Sequence, residues 1–108
     1  MKAKYQKILF ESANMISKIP GVSTTGATAT AATYVAAYND YYVSCQYLGV
    51  ITDNIDLIEE TEYSINRYKD RYDMSEFKAN IKRYSEQIDR AYKELKEYIL
   101  QREKEHWK

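Results

Sequence analysis

Turn residues are scarce in this chain. One proline and three glycines in 108 residues leave too little turn chemistry for the many tight reversals of an all-β fold. Cysteine occurs once, as Cys45, which excludes an internal disulfide and a thiolate metal cluster and fits a reducing intracellular compartment. Histidine also occurs once, as His106, so the paired Glu-x-x-His sets of a di-metal helix bundle are missing. Glu59, Glu60 and Glu62 with His106 form the one conceivable metal set, and a solvated acidic face accounts for those glutamates better. No glycine-rich phosphate loop occurs, and no Ser or Cys is paired with a His in a nucleophile arrangement. Net charge is absent too, with 16 bases against 16 acids, so no overall field draws the chain to nucleic acid or anionic lipid. The expectation is a non-enzyme with no metal, no cofactor, no small-molecule substrate and no nucleic-acid partner.

What is present is helical periodicity over nearly the whole length. Residues 2–19 place Tyr5, Ile8, Leu9, Met15, Ile16 and Ile19 at helical spacing, predicting a helix over 2–18, with Ser12 a gap in the stripe and lysines on the remaining face. The apolar run Ile8–Phe10 is too short for a secretory signal core. Pro20-Gly21 ends this helix, and the hydroxyls of 23–25 offer caps for the next.

A single long helix is expected over 24–72. Asn39-Asp40 and Gly49 are the places where such a helix would bend or break. Asp73-Met-Ser-Glu76 then reads as a capping box. From there a heptad runs through Met74, Ile81, Ile88 and Leu95, and through Phe77, Tyr84, Ala91 and Tyr98. It decays at Arg102, so the last helix spans 74–105. The fold class is all-α: one domain of three helices in two consecutive antiparallel hairpins sharing a long central helix, the C-terminal hairpin coiled-coil-like.

Turn position predicts register. A turn centred near Asp73 sets Ile65 against Ile81, Ile58 against Ile88, Ile55 against Ala91, Ile51 against Leu95 and Leu48 against Tyr98. It also brings the acidic segment 53–62 beside Lys82, Arg83 and Arg90. A tight turn at Pro20-Gly21 sets Ile16 near Ala27, Ser12 near Ala31 and Tyr5 near Tyr38, and lets Tyr5 and Trp107 approach each other.

Tyrosine is abundant, with 12 copies. Tyr34, Tyr38, Tyr41, Tyr68, Tyr72, Tyr84 and Tyr98 fall on the stripes, which argues for core packing rather than base stacking. Tyr42, Tyr47, Tyr63 and Tyr92 fall off them and suit contacts with another protein. The anomaly is 19–52, which carries one charge, Asp40, in 34 residues. Tyr34, Val35, Tyr38, Tyr42, Val43 and Tyr47 surround the helix there too widely for one partner helix to hide. The expected role is a non-catalytic structural or accessory subunit. It docks through 19–52 into a larger assembly, either soluble, such as a virion, or a membrane complex in which 22–51 meets lipid or protein. Self-association belongs to the same reading. The alternative is a small regulatory or inhibitory protein that binds another protein.

Overall fold

The computed structural model describes residues 2–20 and 31–105, with the side chains of 31–37 excepted. Among these, three helices follow one another: α1 (Ala3–Ser17), α2 (Ala31–Tyr68) and α3 (Ser75–Glu105). The expected start of the central helix at 24, the Pro20-Gly21 turn itself, the hydroxyl caps, His106 and Trp107 lie outside the described residues.

α1 stops where its stripe does. Lys18 N–H bonds to Met15 O and Ile19 N–H to Ile16 O, a tightened last turn, and Ile19 precedes a proline, which disfavours further helix. α2 runs 38 residues, about 57 Å at 1.5 Å per residue, without a break at Asn39-Asp40 or Gly49. A lone helical glycine costs only about 1 kcal/mol, and the full burial of Ser44 and Ile51 on either side outweighs it. The turn between α2 and α3 is held by Asp73, whose carboxylate accepts from Ser75 N–H at 3.0 Å and Ser75 Oγ–H at 2.6 Å. The acceptor role expected of Asp73 is therefore real, but its donor is Ser75 rather than Glu76. These hydrogen bonds hold the Asp73 carboxyl below its ordinary range.

α2 and α3 form an antiparallel hairpin. Ile51, Ile55, Ile58, Ile88 and Ala91 are buried in one cluster, and Leu95 and Ile99 lie in a second, with Tyr47, Leu48 and Tyr98 packed against it. The Ile58–Ile88 and Ile55–Ala91 levels match the expected register.

α1 is placed differently from expectation. Tyr5 and Ile8 enter the Ile51–Ile55–Ile58–Ile88 cluster, and Ile16 and Ile19 enter that of Leu95 and Ile99. Lys2 Nζ reaches Glu62 Oε1 at 2.9 Å, Lys4 Nζ reaches Asp89 at 3.6 Å, and Tyr92 donates to Glu11. α1 therefore lies in the groove between α2 and α3, antiparallel to α2 and running the same way as α3. Tyr5 sits at the level of Ile58 rather than Tyr38, and not near the far end of α3. The reason is apolar area: the groove offers branched side chains, whereas the early flank of α2 offers mostly Ala and Thr. Ser12 is no gap either, being fully buried where a small residue lets helices approach.

Among the described residues, the slide leaves the far end of the hairpin with two helices. Beyond Glu62, Ile65, Ile81 and Tyr84 are half-buried, and Phe77, placed at a core position by the heptad, is 40% exposed. Tyr38, Tyr41, Tyr68 and Tyr72 are likewise exposed rather than core. The acids Asp53, Asp56 and Glu60 point outward, and among the described residues no ion pair joins them to Lys82, Arg83 or Arg90.

Candidate interaction face

The outward side of α2 and the inward side of the same turns must be read together. Asp40, the one charge of the 19–52 stretch, is 2% exposed. Its Oδ1 accepts from the Tyr98 hydroxyl at 2.8 Å. The same oxygen lies 2.8 Å from Arg102 Nε, an ion pair whose N–H is not aligned for a straight hydrogen bond. Burial, with the Asp40 hydrogen bond next, pushes the Tyr98 phenol up to about 12. Tyr47 completes the cluster, its ring centroid 6.3 Å from that of Tyr98.

The arrangement is enclosed between α2 and α3. A carboxylate held by a phenol and a guanidinium fixes which turn of α2 faces which turn of α3. Both ionic members were visible as exceptions, Asp40 in an apolar stretch and Arg102 where the heptad decays. A register summing to about 146 sets Asp40 opposite 106 instead, one helical turn away from Arg102, which is why the pair was missed.

With Asp40 turned inward, the opposite side carries no charge from residue 38 to 52. Tyr38 is 68% exposed, Tyr42 56%, Tyr41 42% and Val50 44%. Of the residues singled out from sequence, Tyr38 and Tyr42 stand on this face. Val43 is half-buried at its edge, and Tyr47 is spent on Tyr98. Tyr34 and Val35 lie on α2, their side chains outside the described residues. Tyr41 and Val50 belong to the face and were not singled out. A hydrogen bond with Cys45 one turn on raises the Tyr41 phenol above its ordinary range. Of the off-stripe tyrosines, Tyr92 is also used internally. Its phenol is pushed up to about 12 by burial and then by the bond to Glu11.

Among the described residues, no group of three or more His, Cys, Asp or Glu is placed to hold a metal ion. No helix among them is long and apolar enough to cross a membrane. Comparison with protein-family models, curated proteins and solved structures finds no match.

Proposed function

We propose that the chain is a non-catalytic structural or accessory subunit that docks into a larger protein assembly through the stretch 19–52, which carries a single charge. One observation supports the reading above the others. The only charge in that stretch is withdrawn into the helix interface, leaving an outward patch of three tyrosines and a valine. Tyrosine offers large, rigid contact area with a polar tip, the chemistry favoured at protein interfaces. Soluble chains that act alone seldom leave such a patch contiguous and uncharged.

Affinity capture of the tagged chain from its native source, with Tyr42→Lys beside it, tests the proposal. Tyr42 faces away from α1 and α3, so the variant keeps its helical content. Loss of a specific partner on that substitution supports docking through this face. A wild-type chain that emerges alone and monomeric sinks it.

A further inference from the structure

Further along α2, the outward side changes character. At about 100° per residue, Asp53, Asp56, Glu60, Tyr63, Ser64 and Arg67 fall opposite the buried Ile51, Ile55 and Ile58. Asp53, Asp56, Glu60 and Arg67 are exposed, and Tyr63 is 63% exposed. None of the three acids has a base three or four residues away on the helix, and none is ion-paired among the described residues. Among the described residues Arg67 contacts aromatic neighbours, with Nη1 donating to Tyr63 Oη at 3.1 Å and its guanidinium 5.6 Å from the Tyr68 ring centre. Lys69, Asp70 and Arg71 follow in the turn. On the helix itself, the sign of charge on this face therefore reverses across Tyr63-Ser64: Asp53, Asp56 and Glu60 before, Arg67 after.

A surface that is antisymmetric in charge about one point is complementary to itself when turned end for end. We propose that a second copy of this chain docks antiparallel on this face of α2, with the two-fold axis beside Tyr63 and Ser64. In that register Glu60 of each copy meets Arg67 of the other, because the two are equidistant from the axis. Glu60 and Arg67 are seven residues apart, about 10 Å along the helix, too far to pair within one chain. Isologous contacts repeat every attraction twice, and the exposed Tyr63 rings come together at the centre.

The basic end of the hairpin taken alone suits a different partner. Residues 63–83 hold six bases and three acids, with Tyr63, Tyr72 and Phe77 exposed, which fits an anionic single strand. The acids at 53, 56 and 60 argue against it, since they repel a polyanion laid along the same face. A second copy meets both signs. The contact leaves the Tyr38–Val50 patches open, one at each end of the pair, so it is independent of the docking proposed above.

Two helix faces of this length bury less than the roughly 1,200 Å² of a standard interface, so association is concentration-dependent and weakened by salt. Sedimentation equilibrium of the full chain, over a concentration series at low and high salt, reads it out. The expected result is twice the 12.7 kDa chain mass at low salt. Glu60→Arg and Arg67→Glu should each abolish the dimer, and the two together should restore it. A chain that stays monomeric at every concentration at low salt overturns the proposal. So do single reversals without effect, a double variant that fails to dimerise, or a dimer lost only on Tyr42→Lys. Saturable binding of a fluorescent single-stranded oligonucleotide at the basic end without dimer formation overturns it in favour of the anionic strand.

Discussion

Asp40 and Arg102 meet at 2.8 Å although each interrupts an otherwise apolar series on its own helix. Two positions that look like defects singly are partners, and Tyr98 joins them from α3. Removing one member should be costly. Arg102→Ala leaves the Asp40 carboxylate enclosed with less compensation, and loss of one partner of a buried pair costs up to about 3–5 kcal/mol. Arg102 keeps 25% of its side chain in water, so about 2–3 kcal/mol is expected here. Replacing all three together, as Asp40→Leu, Tyr98→Phe and Arg102→Met, should be near neutral. Urea unfolding of both variants measures the contrast, and equal losses would refute it.

Ile88 and Phe77 occupy core positions of the same heptad but differ in cover. Ile88 is fully buried beneath α1, whereas Phe77 is 40% exposed. Ile88→Ala should therefore cost about 2–4 kcal/mol through transfer and cavity terms, and Ile88→Asp should unfold the hairpin. Phe77→Ala should cost clearly less than the usual Phe→Ala loss of about 3–5 kcal/mol. Chemical denaturation of the single variants decides it, and a Phe77→Ala loss as large as that of Ile88→Ala would place a third helix over this end.

Alkali should weaken the fold through two phenols. Tyr92 and Tyr98 are each raised from 10 to about 12 in the folded chain, so the fold favours their neutral forms. That stability is fully present below pH 10 and is lost as pH rises from 10 through about 12. At 1.36 kcal/mol per unit, reduced for the part of each ring in water, the loss is about 1–2 kcal/mol per tyrosine. Unfolding free energy measured from pH 8 to 12 should fall less steeply for Tyr98→Phe. An unchanged slope would show that the phenol is not held neutral by the fold.

Ser12 and Ser44 are fully buried, and neither hydroxyl has a hydrogen-bond partner among the described residues. Burying an unpaired hydroxyl is unfavourable, and alanine keeps the small volume these close approaches need. Ser12→Ala and Ser44→Ala should each stabilise by about 1 kcal/mol. A lower melting temperature for either would mean that its hydroxyl has a partner.

Much of the architecture was legible because its cause is local. The apolar spacing of Tyr5, Ile8 and Ile16, and the heptad from Met74, place α1 and α3 within one or two residues of their observed bounds. The register of α2 on α3 follows from a short turn, so Ile58 finds Ile88. The seat of α1 was not legible. It depends on which of two grooves offers more branched apolar surface, a comparison between distant segments that no periodicity expresses. The outward set was half legible for the same reason. Tyr38 and Tyr42 stand free, but Tyr92 was recruited by Glu11 through the unseen slide of α1, and Tyr47 by Tyr98 across the hairpin.

Because α1 reaches only as far as Glu62, the rod changes from three helices to two along its length, and its mechanical character changes with it. Amides near Ile55, Ile88 and Leu95 are protected by the deepest packing, so they should exchange with deuterium only on global opening. Those of 65–83 lie where Met74 is the one buried side chain, and should exchange through smaller, local openings. The end that carries Arg67, Lys69 and Arg71 is thus the compliant one. It can splay to fit whatever it meets, while the tyrosine end, pinned by Asp40 to Tyr98 and Arg102, holds its shape.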